Sequence, residues 1–422
     1  MQLLVYIPLV YFIVLFFIQR KNNTTINAGS AVTLFYIISS FFAVVMVEGD
    51  IVALHSFTLP DFHVVTTILY CGLLTLSILP MYRYHTEKIE YVHLDEGKKQ
   101  LFMVICWVLI ALTFLDIILN FNDIVNTLLY MDLADVRGDF YEEMSNHRST
   151  RFSASIFQYI ISFGISSAPL LLLFFFYVII YIPNKKFLAV MLLLSSLVLV
   201  FISFLSASRT QLIYWAMSFV FLYATFYGQM NRKVRKGINV AFLLLGIAGF
   251  IYISAVTVSR FSDRSDTDVD ESVINYAGQE FIQFTDLYNR YSFREVTFDR
   301  VLPITTKYIL GHDFNMTKYR EEWTVRLGMP TGVFFTFLGD AMLDFGKFGM
   351  CLYTLLFYLI AMAFVKRRRS DMVSLSNMMI FLAISRIPLL GMFAYYYKSI
   401  QTSSFLIVCF IAAYLLQPSK KI

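Results

Sequence analysis

Residues 101–120 read LFMVICWVLIALTFLDIILN, an apolar run with a single charged side chain, Asp116. An α-helix of about 20 apolar residues is long enough to cross the hydrocarbon core of a lipid bilayer. The rest of the chain repeats this pattern in apolar blocks of about 17–25 residues, whereas an outer-membrane barrel shows alternating segments of about ten residues. The pattern therefore predicts an all-α polytopic membrane protein.

The composition supports this prediction. Of the 422 residues, 58% are hydrophobic and only 15% are charged, whereas soluble domains are about a quarter charged. The net charge of +5 comes mainly from basic residues at the ends of apolar blocks, so it indicates membrane orientation and not a nucleic-acid partner. All four cysteines fall inside apolar blocks, which predicts neither a disulfide framework nor a metal site. We expect no cofactor.

About eleven transmembrane helices are predicted. They are Leu3–Ile18, Ala28–Val47, Val64–Met81, Leu101–Asn120, Ile156–Ile182, Phe187–Leu205, Leu212–Tyr227, Ile238–Val256, Phe348–Val365, Met372–Leu390 and Ile400–Leu416. The expected organisation is a first bundle of about eight helices (1–256) with an outward loop (121–155), a large late loop (257–347), and three last helices with a tail (348–422). The first block is interpreted as a span and not a cleavable signal peptide, because its charges, Arg20 and Lys21, follow the apolar run.

The distribution of basic residues predicts the orientation. Alternate connections are all basic, and they carry Arg20 and Lys21; Arg83, Lys88, Lys98 and Lys99; Lys185 and Lys186; Arg232, Lys233, Arg235 and Lys236; Lys366, Arg367, Arg368 and Arg369; and Lys420 and Lys421. The opposite short connection 48–63 has no Lys or Arg. Because Lys and Arg accumulate on the cytoplasmic side, we expect a non-cytoplasmic N-terminus, a cytoplasmic C-terminus and an odd number of spans.

The predicted outward segments are rich in arginine, whose rigid guanidinium group matches phosphate oxygens. These arginines are Arg137, Arg148, Arg151, Arg209, Arg260, Arg264, Arg290, Arg294, Arg300, Arg320 and Arg326, and the outward lysines are Lys307, Lys318, Lys347 and Lys398. Arg209 lies between two spans with almost no loop, so it must stay near the membrane surface. Arg386 lies inside an apolar block, where a charge is costly and marks a functional site or a structural ion pair with Asp116 or Asp344.

Other candidate residues lie in the large late loop. His312 is a possible general base, although a loop histidine also fits a structural role. Asp344 precedes the ninth span and fits either the orientation of a partner or solvation of a helix end. Phe281, Phe284, Tyr288 and Tyr291 recur at helical spacing, which predicts an amphipathic helix that lies on the membrane or roofs the bundle.

Two motifs resemble those of the bacterial oligosaccharide repeat-unit polymerases, the Wzy-like O-antigen polymerase family. Ser208-Arg209-Thr210 is similar to that family's Ser/Gly-x-Arg-Thr motif at a periplasmic helix end. The segment 330–346, PTGVFFTFLGDAMLDFG, resembles the glycine-rich aromatic segment that ends in Asp/Asn-Phe-Gly before the next span. The architecture of most of the chain also resembles this family.

The resemblance implies a GT-C-like multi-span glycosyltransferase of the bacterial inner membrane. Such an enzyme joins undecaprenyl-diphosphate-linked repeat units at the periplasmic face, where cations stabilise the leaving diphosphate; a chain-length regulator is a further possible partner. The predicted catalytic residues are Arg209, Arg260, His312 and Asp344. The predicted residues for diphosphate or sugar binding are Arg137, Arg290, Arg294, Arg320, Arg386, Tyr288 and Trp323.

Two alternatives remain open at this point. The O-antigen ligases share the multi-span fold and late loop, and they transfer a finished glycan to a lipid A core. A lipid-linked oligosaccharide flippase or other transporter belongs to a different class, which predicts a polar cavity through the bilayer and little extramembrane mass. Long outward loops and nearly uncharged spans favour the polymerase.

Overall fold

The structure is a computed structural model that describes residues 2–21, 26–51, 59–122, 125, 163–204, 209–261, 269–292, 296–311, 316–366 and 371–419. Within these residues it has fifteen α-helices and one short two-stranded sheet. The prediction of an all-α protein is confirmed.

The helices are numbered here in chain order. They are α1 (Tyr6–Arg20), α2 (Ala28–Glu48), α3 (Val64–Arg83), α4 (Lys99–Leu119), α5 (Ala168–Tyr181), α6 (Lys186–Ser196), α7 (Val198–Phe204), α8 (Thr210–Phe226), α9 (Arg232–Phe261), α10 (Val269–Arg290), α11 (Pro303–Tyr308), α12 (Met316–Leu327), α13 (Thr336–Lys366), α14 (Leu375–Leu390) and α15 (Ile400–Leu415). Strands β1 (Tyr91–His93) and β2 (Met372–Ser374) pair in parallel, with Tyr91 opposite Met372.

Seven helical segments of the described chain are long and apolar enough to cross a membrane: Leu3–Arg20, Ala28–Glu48, Val64–Lys88, Glu96–Leu119, Pro183–Ser203, Arg232–Tyr252 and Thr336–Lys366. Helices α5, α14 and α15 are shorter and also apolar. The chain is therefore a multi-pass membrane protein by the length and composition of its helices. Each of the eleven predicted spans contains a described helix, whereas the count of eleven, the inner membrane and the orientation stay predictions.

The chain divides into two compact units. Unit 1 comprises Met1–Thr86, Thr267–Arg369 and Ile384–Ser403, and unit 2 comprises Glu87–Asp266, Ser370–Ala383 and Ser404–Ile422. Most of the late loop that the sequence set apart as 257–347 thus belongs to the same unit as the first three helices.

In unit 1, α10 packs along α2. The predicted amphipathic helix is present, but it is buried on all sides from Gly278 to Leu287. Phe281 stacks on Phe62 with ring centroids 5.6 Å apart and contacts Tyr70 at 4.9 Å. The polar residues Gln279, Glu280 and Gln283 of this stretch are therefore enclosed by other parts of the unit.

In unit 2, α5 is the central helix, and it is buried from Ala168 to Val178. Phe174 meets Phe102 of α4 edge to face, with ring centroids 5.0 Å apart. Phe176 stacks on Phe226 of α8 at 5.8 Å. Aromatic pairs of this kind fix neighbouring helices beyond the burial of apolar area.

Gly278 allows the close approach of α10 to α2. A Cβ at this position would lie 2.5 Å from the carbonyl carbon of Phe42 and 2.7 Å from the amide nitrogen of Ala43. Backbone atoms of a helix cannot move aside as a flexible side chain can. The two helices can therefore keep this separation only with glycine at position 278.

We expect Gly278→Ala to lower the stability of the protein by about 1–3 kcal/mol, the usual cost of over-packing. Gly72→Ala is the matched control, because it lies inside α3 and a Cβ there meets no atom within 4 Å. The control should be neutral or slightly stabilising, since alanine favours helix more than glycine does. Thermal unfolding of both variants in detergent measures the difference, and equal melting temperatures would contradict the packing described here.

Candidate functional site

Helix α13 is broken, and its first part is buried inside unit 1. Its backbone leaves helical geometry at Gly346, where φ is 73° and ψ is 178°. The helix begins at Thr336, well before the predicted span start at Phe348. Thr336 has a φ of 64°, which is an outlier for a β-branched residue.

Two backbone hydrogen bonds hold the start of α13. The N–H of Thr336 donates to the carbonyl of Phe393 at 3.1 Å, and that of Phe337 donates to the carbonyl of Gly391 at 2.8 Å.

Asp344, near the end of this first part, organises the segment 297–301. Its Oδ2 accepts from the backbone N–H groups of Arg300 at 2.9 Å and Val301 at 2.8 Å. Its Oδ1 accepts from the hydroxyl of Thr297 at 2.9 Å. A fully buried carboxylate with three good donors is well satisfied. Asp344 therefore holds the preceding segment in place.

Asp340, one helical turn earlier, receives two cations. Nη1 of Arg300 donates to its Oδ1, and the backbone N–H of Tyr395 donates to its Oδ2 at 2.6 Å. Nζ of Lys398 lies 3.8 Å from the same Oδ2. The side chains of Arg300 and Asp340 are 1% and 0% exposed, respectively. We call Arg300, Asp340, Asp344 and Lys398 the buried ionic cluster.

Lys398 is the most accessible member of the buried ionic cluster, with a side chain that is 25% exposed. Burial lowers its pKa from 10.5 to about 8; the carboxylate of Asp340 opposes this decrease, and the charges of Arg300 and Arg320 add to it. An amine with a pKa near 8 exchanges its proton close to neutral pH, which is a property of groups that act as acids or bases.

A cleft of about 700 Å³ lies where α3 begins, α10 ends and α13 is broken. Its lining residues are Leu59, Pro60, Asp61, His63, Val65, Thr66, Asp286, Tyr288, Asn289, Arg290 and Lys347. Of these, Tyr288 and Arg290 were predicted to bind diphosphate or sugar. The cleft thus brings together two cations, an imidazole, two carboxylates and a phenol ring.

The walls of this cleft are held by defined contacts. Nε of Arg290 donates to Oδ1 of Asp286 at 2.7 Å, and its Nη1 donates to the carbonyl of Gly328 at 3.0 Å. Asn289 donates to the carbonyl of Asp61 at 2.8 Å, which ties the start of α3 to the end of α10. Nζ of Lys347 lies 4.4 Å from the centre of the Tyr288 ring.

A series of aromatic contacts connects the cleft with the buried ionic cluster. Tyr291 stacks on Trp323 with ring centroids 5.8 Å apart, and a Cβ on Gly346 would lie 3.7 Å from the Tyr291 ring. Trp323 also contacts Tyr319, whose hydroxyl lies 3.4 Å from Oδ1 of Asp344. Trp323, predicted to stack on a sugar, is 3% exposed, so the structure surrounds it with protein side chains.

The other predicted site residues are distributed between the two units. In unit 1, Arg386 is 2% exposed, and its guanidinium carbon lies 3.9 Å from the centre of the Tyr396 ring. Arg320 is near the buried ionic cluster, as its effect on Lys398 indicates. In unit 2, Arg209 is 8% exposed at the start of α8 and interacts electrostatically with Tyr252. Arg137, Arg294 and His312, and the side chain of Arg260, lie outside the described residues.

Several residues of the site were not selected from the sequence. Arg300, Lys347 and Lys398 were recognised only as members of the outward basic set, and Asp340 and His63 were not recognised at all. One signal was available for Asp340, because the four-residue spacing to Asp344 places both carboxylates on one face of a helix. In the part of the chain that is described, no group of three His, Cys, Asp or Glu residues is arranged to hold a metal ion.

We expect Arg300→Met and Asp340→Leu each to reduce stability by about 3–5 kcal/mol, because each removes one partner of a buried ion pair. The double variant should lose clearly less than the sum of both, since it removes the pair together. Unfolding in mixed detergent micelles measures all three. Lys307→Met, which removes an exposed cation, is the control and should change little. Strictly additive losses would show that the two side chains do not interact.

We expect the stability of the wild type relative to Lys398→Met to rise between pH 8 and pH 10. The pKa of Lys398 is about 8 in the folded state and 10.5 ordinarily, so between these values the unfolded chain binds more protons. Stability increases with pH under that condition. Melting temperatures of both proteins across this range measure the effect. A difference in melting temperature that stays constant or falls with pH would argue against a buried Lys398.

Comparison of the chain with protein-family models, with curated proteins and with solved structures finds no match. The assignment of a function therefore depends on the chemistry of the side chains described above.

Proposed function

We propose that this protein is a polymerase that joins undecaprenyl-diphosphate-linked oligosaccharide repeat units into a polysaccharide at the periplasmic membrane face. The observation that carries the proposal is the cleft at the start of α3 and the end of α10. It combines Arg290 and Lys347 with His63, Asp61 and the ring of Tyr288. It also lies at the ends of apolar helices that the charge pattern predicts to face outward.

The chemistry of the proposed reaction needs two kinds of group. The donor sugar leaves a lipid diphosphate, so negative charge develops on a phosphate oxygen as the glycosidic bond breaks. Cations close to that oxygen stabilise the transition state, and Arg290 and Lys347 supply them. The bond that forms joins the donor sugar to a hydroxyl of the acceptor unit, whose proton passes to a base. His63 and Asp61 are the bases that the cleft offers.

The structure around the cleft supports a positioned site. Lys347 directly follows the break at Gly346, and Asp344 on the other side of that break is fixed by three hydrogen bonds. Arg290 is fixed by Asp286 and Gly328. Cations held in this way need little reorganisation when charge develops, which is the basis of electrostatic catalysis.

We expect Lys347→Met to lower the rate of polymer formation by roughly 10²-fold or more, the usual effect of removing one charge-stabilising group. Lys347→Arg should retain most of the activity, because it keeps the positive charge. The substrate is the carrier-linked single unit extracted from cells that lack this protein, and the assay follows its conversion by reconstituted protein into longer glycans on a gel. Lys307→Met removes an exposed cation outside the cleft and is the matched control.

The carrier-linked glycan extracted from cells that lack this protein also distinguishes a polymerase from a ligase. Cells without a polymerase accumulate single carrier-linked units, whereas cells without a ligase accumulate carrier-linked polymer. Unchanged polymer ladders from Lys347→Met would overturn the role of the cleft. Accumulation of carrier-linked polymer in cells that lack this protein would favour the ligase.

One observation favours a transporter as the second candidate. Glu280 is fully buried in α10, where Ser39 of α2 donates to its Oε2 at 2.8 Å, and no hydrogen-bond partner is described for Oε1. A buried carboxyl group within an apolar helix bundle is a candidate proton carrier. If the protein is a transporter, Glu280→Gln abolishes lipid-linked glycan delivery while Lys347→Met does not.

A further inference from the structure

A second basic site lies in unit 2, at the start of α9. Arg232, Lys233, Arg235 and Lys236 are four cations within five residues. Arg232, Arg235 and Lys236 line an open groove of about 330 Å³ with Asn239, Val240 and Leu243. Among the described residues, none of the four cations has a carboxylate within ion-pair distance. The groove is therefore strongly positive.

The position of these cations is unfavourable for the helix itself. The N-terminus of a helix carries a partial positive charge, so acidic residues stabilise it and basic residues do not. The first turn of α9 has no acidic residue. An anion bound at this point would interact favourably with the cations and with the helix terminus together.

Arg235, which also lines the groove, is fixed by contacts with Tyr227. Its guanidinium carbon lies 3.8 Å from the centre of the Tyr227 ring. Nη1 donates to the Tyr227 hydroxyl at 3.0 Å, and Nη2 donates to the Tyr227 carbonyl at 3.2 Å. Arg232 and Lys236 are exposed and one helical turn apart, so their charged groups are available to a ligand in the groove.

The groove changes from charged to apolar along one side of α9. Arg232 and Lys236 come first, Asn239 follows, and Val240 and Leu243 come last. This order covers roughly 16 Å at about 1.5 Å per residue. Leu244, Ile247, Phe250 and Ile251 continue the apolar surface, and each is more than half exposed. A phospholipid has the same order of phosphate, ester carbonyls and acyl chains.

We propose that this groove binds the head group of an anionic phospholipid, with the phosphate between Arg232 and Lys236 and an acyl chain along Val240 and Leu243. The volume suits a phosphoglycerol head group, and the acyl chain continues over the exposed surface of α9. A second copy of the chain is a less suitable occupant of the groove, because a symmetric contact would bring like charges together. Each basic residue near an anionic lipid surface strengthens binding by about five-fold.

The test uses native mass spectrometry of the full-length protein in detergent, with phosphatidylglycerol, phosphatidylcholine of the same acyl chains, and inorganic phosphate as probes. We expect phosphatidylglycerol to bind more tightly than the other two. The variant Arg232→Gln/Lys236→Gln should bind it at least ten-fold more weakly. The helix should still form in this variant, because Asn231 caps it by accepting from the N–H of Val234 at 2.9 Å.

The matched control is Lys185→Gln/Lys186→Gln, which also removes two positive charges, from another exposed basic pair of unit 2. This control should bind phosphatidylglycerol as tightly as the wild type does. Equal binding of phosphatidylcholine, equal weakening by both double variants, or a dimer in place of lipid adducts would each overturn the proposal. Binding of inorganic phosphate as tight as that of phosphatidylglycerol would also overturn it, because the apolar half would then contribute nothing. If the double variant does not fold, Lys236→Gln alone is expected to weaken binding about five-fold, and unchanged affinity would refute the site.

Discussion

The ion pair between Arg300 and Asp340 is the interaction on which the organisation of unit 1 depends. Both side chains are essentially inaccessible to solvent, and a buried charge is tolerated only when it is paired and hydrogen-bonded. The pair joins the segment before α11 to the first part of α13. Tyr395 and Lys398 join the turn after α14 to the same carboxylate. Three distant parts of the chain therefore meet at one residue.

The break in α13 follows from the same arrangement. Its first part carries Asp340 and Asp344 on one face and must stay buried against their partners, while its second part continues as an apolar helix. Gly346 supplies the left-handed backbone conformation that separates the two parts, which glycine adopts at little cost. The side chain that follows, Lys347, lies in the cleft at this point. A structural requirement for buried charge thus places a cation where the proposed reaction needs one.

The two cationic sites differ in chemistry. The cleft of unit 1 mixes cations with carboxylates, an imidazole and a phenol ring, so it contains groups that can exchange protons as well as groups that bind anions. The groove of unit 2 has cations, one amide and apolar side chains. The first composition is typical of a reaction site, and the second is typical of a site that holds an amphipathic ligand.

The sequence alone determined the class of the protein and the approximate position of each described apolar helix, because hydropathy is a sum over neighbouring residues. It also selected Asp344, Arg290 and Tyr288, which stand out in local motifs. Only the tertiary structure brought Arg300 to Asp340 across 40 residues of chain, buried α10 from Gly278 to Leu287, and placed His63 in the same cleft as Lys347. The reason is physical: insertion into a membrane depends on local composition, whereas the pairing of buried charges depends on which distant segments pack together.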